Sequence, residues 1–106
     1  MEAGTLNGLG DVFFRSGEPD KARTHHATAL RLASEIGSPL EQARAHSGLA
    51  RAYHADGDSH RARHHWQEAL TRYTAVGAPE ADEIRRLATA GASGGEGIHR
   101  NQRPGE

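Results

Sequence analysis

The chain of 106 residues contains no cysteine, which excludes disulfides, thiolate zinc sites and cysteine nucleophiles. It also has no apolar run of the roughly 18 residues that a membrane span requires. The first ten residues lack the basic start and the apolar centre of a secretory signal. We therefore expect a cytoplasmic chain that does not enter a membrane.

An excess of charge of either sign is missing as well. Thirteen basic and 14 acidic side chains are interspersed and leave a formal net charge of −1. Such a balance does not create the basic field that attracts nucleic acid or an anionic membrane surface. We expect no direct nucleic-acid partner, and the balance argues against the alternative of a helical DNA-binding domain.

The sequence does contain an internal repeat with a period of 40 residues. Residues 8–39 aligned without a gap on residues 48–79 share ten identities in 32 positions, where composition alone gives roughly two or three. The identical pairs are Gly8/Gly48, Leu9/Leu49, Gly17/Gly57, Ala22/Ala62, Arg23/Arg63, His25/His65, Ala29/Ala69, Leu30/Leu70, Gly37/Gly77 and Pro39/Pro79. The pattern indicates two copies of one structural unit.

Each unit divides into two amphipathic helices that end at glycine, with Pro39 and Pro79 opening the following helices. Asp20 and Ser59 are the expected N-caps of the second helices. The apolar stripe of the first helix consists of Leu6, Leu9, Val12 and Phe13. The second helices carry Ala22, His26, Ala29, Leu30, Ala33 and Ile36 in unit one, and Ala62, Trp66, Ala69, Leu70, Tyr73 and Val76 in unit two.

The order Leu6, Leu9, Gly10, Phe13, Ala22, His26 and Ala29, repeated as His46, Leu49, Ala50, Tyr53, Ala62, Trp66 and Ala69, resembles the tetratricopeptide repeat. The chain departs from that family at His26, where an aromatic residue is usual, at Ala50, where glycine is usual, and in its period, which is about 34 residues in the family. The resemblance implies an all-α, right-handed solenoid of two antiparallel helical hairpins, over about residues 4–37 and 39–77.

Residues 79–90 predict a C-terminal capping helix, because three acids in its first turn precede a short apolar stripe. We assign residues 1–90 to one repeat domain and residues 91–106 to a flexible, glycine-rich tail. Two units and a cap fall short of the about three repeats that a solenoid needs. We therefore expect a fragment of a longer array, with a partner on the uncapped N-terminal face as the alternative.

Residues 6–90 also resemble the last repeats of large actinobacterial transcriptional regulators. Those proteins combine a DNA-binding domain, a nucleotide-binding switch and a C-terminal repeat array. The resemblance implies a role in signalling or transcription, with another domain of the same regulator as the partner. The chain itself contains neither a phosphate-binding loop motif nor a separate helix-turn-helix segment.

Catalysis and metal binding have little support. The serines lack a GxSxG setting, and His60 and His64, although one helical turn apart, lack the third ligand that a zinc site requires. We predict no catalytic residue, no cofactor and no metal. The less favoured alternative is a metal- or pH-responsive protein built on the histidines His25, His26, His60, His64 and His65.

The family resemblance also implies a binding surface, because the first helices of successive repeats line a concave groove that takes a protein or peptide segment. Carried onto this chain, the lining residues are Asn7, Asp11, Phe14, Arg44, Ser47, Arg51 and His54. This groove is acidic at one end and basic at the other, which favours a partner of mixed charge. A homo-oligomerisation module, pairing through the N-terminal face, is the alternative function.

Overall fold

The computed structural model describes residues 1–86. Within this range the chain forms four long helices, α1 (Ala3–Arg15), α2 (Pro19–Ile36), α3 (Pro39–Ala55) and α4 (Ser59–Ala75), and a further helical segment, α5, over residues 80–86. The all-α prediction is confirmed. The predicted cap helix is described only as far as residue 86, and the predicted tail, 91–106, lies outside the described residues.

The two hairpins turn in the same way, which explains the recurrence of Gly17 and Gly57. Both glycines have a φ of +81°, a left-handed conformation that residues with a Cβ adopt only with strain. The same bond closes each turn, because Glu18 N donates to Phe13 O and Asp58 N donates to Tyr53 O, both at 2.9 Å. The repeated glycine is therefore required by the backbone path.

The helix starts differ from the sequence-based expectation. Asp20 and Ser59, predicted as N-caps, both lie inside the helices that they were expected to cap. Helix α2 begins after Glu18 without a side-chain cap, and α4 is capped by Asp58, which accepts a hydrogen bond from the backbone N of Arg61 at 3.1 Å. Asp and Ser are comparable caps, so composition could not choose between neighbours.

Asp58→Ala should therefore lower the free energy of unfolding by about 1 kcal/mol, because the first turn of α4 loses its cap. Ser59→Ala should change it by less than about 0.5 kcal/mol, since Ser59 caps nothing. Urea denaturation of both variants measures the difference. A larger loss for Ser59→Ala would contradict the assignment of Asp58.

The core is built chiefly from alanine, which lets the helices approach closely. One cluster joins the first three helices through Leu6, Ala29 and Ala45. A second cluster joins α3, α4 and α5 through Ala43, Ala69, Tyr73, Ala81 and Ile84, with Trp66 packed against it. The predicted inward positions Ala22 and Ala62 are buried, and Trp66 is half-buried.

Three residues of the predicted stripes are exposed instead. Val12, Ile36 and Val76 retain 50%, 72% and 45% of their accessible surface. Val12 lies six residues after Leu6, a rotation of about 240° around the helix, so it points away from the buried face. Ile36 is the last residue of α2 and Val76 is the C-cap of α4, where the chain turns away from the neighbouring helix.

The hairpins pack side by side: α1 contacts α2, α2 contacts α3, α3 contacts α4, and α1 also contacts α3. At this junction His26 of α2 is only 1% exposed. Its ring fits between Gly10 of α1 and Gly48 of α3, where an added Cβ would lie 2.5 Å and 2.3 Å from the ring, respectively. The imidazole ring thus fills the space between α1 and α3.

None of the helices within residues 1–86 combines the length and the hydrophobicity of a membrane span.

Candidate functional site

An open cavity of about 230 Å³ lies where α1, α3, α4 and α5 meet. Its volume corresponds to about eight water molecules and is below the roughly 300–1,000 Å³ of typical small-molecule sites. The space therefore suits a side chain of a partner better than a cofactor. The lining residues are Asp11, Arg44, Ser47, Arg51, Trp66, Tyr73, Glu80, Glu83 and Ile84.

Some of the residues predicted to line the groove line this cavity, and others do not. The predicted residues that line it are Asp11, Arg44, Ser47 and Arg51. Phe14 lies outside the lining, half-buried, with its ring centroid 6.0 Å from the guanidinium carbon of Arg51. His54 is exposed near the end of α3 and also lies outside the cavity.

Asn7, predicted to line the groove, lies behind its wall and is only 4% exposed. Its Nδ2 donates to the backbone oxygen and to Oε1 of Glu41, both at 3.1 Å. Its Oδ1 lies 2.8 Å from Nδ1 of His26. Because these internal partners occupy the amide, Asn7 orients the interior of the domain and does not face a ligand.

The Asn7 amide determines that Nδ1 of the His26 ring bears a hydrogen. Since Oδ1 of Asn7 is an acceptor, Nδ1 of His26 must donate. The opposite ring nitrogen, Nε2, faces Oδ1 of Asp11 at 3.4 Å and has no hydrogen-bond partner among the described residues. The pKa of the Asp11 carboxyl lies below its usual value, chiefly because of His26 and, against the opposing effect of burial, because of Arg51. A polar chain thus runs from the interior to the cavity.

The two arginines of the cavity are already paired with carboxylates. Arg51 donates to Asp11 at 2.9 Å, and Arg44 lies 2.6 Å from Glu41. By contrast, Glu80 and Glu83 form no ion pair with any residue between 1 and 86. Counting the described residues alone, the uncompensated charge of the cavity is therefore negative.

Tyr73 lines the cavity together with these charged residues. Burial raises its pKa, the Ser47 hydroxyl opposes that shift, and Glu80 raises it further. Ser47 of α3, Tyr73 of α4 and Glu80 of α5 all line the cavity.

The recurring histidines His25 and His65 each lie against an aromatic ring. His65 is half-buried and stacks on Tyr53 with ring centroids 5.5 Å apart, and its repeat mate His25 lies 4.9 Å from Phe13. Nδ1 of His65 is 2.9 Å from Nδ1 of His46. Burial lowers the pKa of His46 to about 4, with Arg72 and His65 acting in the same direction.

His60 and His64 lie on the exposed face of α4, in a broad depression shared with Arg61, Arg63 and Gln67. No group of three or more side chains that could hold a metal ion occurs within residues 1–86.

The sequence of the two hairpins matches a known protein family. A family model described as tetratricopeptide repeat matches residues 1–84. The chain belongs to the tetratricopeptide repeat family. Tetratricopeptide repeats generally mediate interactions between proteins and typically act as non-catalytic scaffolds. Comparisons of this tetratricopeptide repeat chain with curated proteins and with solved structures gave no match.

Proposed function

We propose that this tetratricopeptide repeat domain is a non-catalytic scaffold that binds an extended protein segment in the groove between α1, α3 and α5. The cavity carries this proposal, because the apolar side chains Trp66, Tyr73 and Ile84 lie there beside charged groups of both signs. Aromatic anchors with a charged rim are typical of sites where a few side chains supply most of the binding energy.

The groove wall is held in place before a partner arrives. Arg51 is fixed between the Asp11 carboxylate and the Phe14 ring, and Asp11 is approached from behind by the buried His26. Docking therefore requires little ordering of these side chains, which favours affinity.

The cellular role that we propose is regulatory and cytoplasmic, with a segment of another domain of the same regulator as the bound partner. This part of the proposal is supported by the resemblance of residues 6–90 to the last repeats of transcriptional regulators. A homo-oligomeric arrangement through the exposed N-terminal face is the competing interpretation, and light scattering at two protein concentrations distinguishes the two.

The binding proposal is tested by selecting peptides from a random displayed library on the folded chain and mapping the selected peptides by amide chemical shifts. We expect the largest shifts at the cavity residues Asp11, Ser47, Arg51 and Ile84. Library peptides that were not selected are the control and should leave these amides unchanged. Shifts confined to the outer depression around His60 and Arg63 would contradict the proposed groove.

A further inference from the structure

We infer that the groove anchors a basic side chain, arginine or lysine, of its partner beside Trp66 and next to Glu80 and Glu83. This inference rests on the proposed binding function and specifies the chemistry of the bound segment. Three features of the cavity support it. Its arginines are paired with carboxylates, while Glu80 and Glu83 pair with no cation among residues 1–86, and no cation of the described residues lies over the Trp66 ring.

The positive charges of the cavity are already engaged. Arg44 is compensated by Glu41 at 2.6 Å, and Arg51 by Asp11 at 2.9 Å. An incoming carboxylate would have to break one of these pairs and leave its acidic partner uncompensated. An acidic anchor is therefore disfavoured, although two arginines line the space.

Among residues 1–86, the carboxylates of α5 have no such compensation. Glu80 and Glu83 lie on successive turns of α5, and both line the cavity. The nearby Arg85 is engaged elsewhere, because it pairs with Asp82 at 2.9 Å and donates to Thr74 at 3.2 Å. Arg86 is exposed and does not line the cavity. A cation from a partner would supply the missing charge.

The aromatic rings indicate the same partner chemistry. Phe13 faces Lys21, Phe14 faces Arg51, and Tyr53 faces both Arg23 and Arg61, at 5.4–6.0 Å from the ring centroids. Within residues 1–86, half-buried Trp66 has no such cation. Tryptophan is the ring that attracts cations most strongly. Its ring lines the cavity together with two carboxylates that pair with no cation in the described part of the chain, which favours a guanidinium or ammonium group.

The test uses Trp66 as the reporter, because it is the single tryptophan of the chain. Three blocked pentapeptides, with arginine, leucine or glutamate at the centre of an alanine sequence, are titrated while the Trp66 emission is recorded. We expect the arginine peptide to bind at least about tenfold more tightly than the glutamate peptide, and the difference to shrink at high salt.

A charge-matched pair of double variants locates the effect. Glu80→Gln with Glu83→Gln should weaken binding of the arginine peptide at least about fivefold. Glu18→Gln with Glu35→Gln removes the same charge outside the cavity and should leave the affinity unchanged. Circular dichroism checks that both double variants fold, and the three-peptide comparison decides the question even if one of them does not.

The outcomes separate the two proposals. Glutamate binding as tightly as arginine, or undiminished arginine binding in the Glu80/Glu83 variant, would overturn the basic anchor. Tightest binding of the leucine peptide would also overturn it and would leave the groove function standing. No saturable change of the Trp66 emission with any peptide up to about 10 mM would contradict both proposals.

Discussion

Replacing Gly48 with alanine should lower the free energy of unfolding by about 2–3 kcal/mol, whereas replacing its repeat mate Gly8 should raise it by about 0.5–1 kcal/mol. The two glycines occupy equivalent positions in the two units and both lie within helices. A Cβ at Gly48 would lie 2.3 Å from atoms of the His26 ring, while a Cβ at Gly8 meets nothing within 4 Å. Only the helix propensity of alanine acts at Gly8, and the steric clash dominates at Gly48.

Urea denaturation of the two variants measures the contrast, and His26→Ala provides the control. In the His26→Ala background, Gly48→Ala should lower the free energy of unfolding by less than about 1 kcal/mol, because the ring with which the new Cβ would clash is absent. Equal effects of alanine at Gly8 and Gly48 would show that the close approach of α3 to His26 does not limit this position.

Acidification from pH 6.5 to about 4 should destabilise the domain by about 2–3 kcal/mol through His46. Burial lowers the pKa of His46 from 6.5 to about 4, so in this window the unfolded chain binds a proton that the folded chain does not. Stability contributed by the neutral imidazole is therefore complete above pH 6.5 and is lost as the pH falls towards 4. The lowered pKa of His65 acts in the same direction.

Unfolding curves at several pH values test this expectation, and the repeat supplies the variant. His46→Leu introduces the residue type of the equivalent position, Leu6, and should remove at least half of the pH-dependent loss. His60→Leu changes an exposed histidine outside the pair and should leave the pH profile unchanged. A profile that is the same in wild type and in His46→Leu would contradict the assignment to His46.

The repeat pattern predicted the hairpins because its recurring positions contact a neighbouring helix or require a particular backbone conformation. Ala22 and Ala62 are buried, and Gly17 and Gly57 take the same left-handed conformation. Helix ends were less predictable. Ile36 fits the apolar periodicity of α2 but is exposed, because the chain turns away from the neighbouring helix at this point. The periodicity of one helix does not show where the helix packed against it ends.

The candidate site was predicted only in part, because its walls come from segments far apart in the chain. Asn7 was placed in the groove by its spacing, but its bonds to His26 and Glu41 depend on two other helices. Trp66 was assigned to the core and Glu80 only to a first helical turn. Extending the lining positions of α3 by one period of 40 residues reaches Ile84, which lines the cavity, but neither Glu80 nor Glu83.

His26 couples the two hairpins of the domain to each other. Its ring belongs to α2, yet it is covered by α1 of its own hairpin and by α3 of the next. Separating the hairpins would bring this imidazole into water and would remove Arg51 of α3 from Asp11 of α1, to which it donates at 2.9 Å. Because this contact spans both hairpins, we expect them to unfold as one cooperative unit.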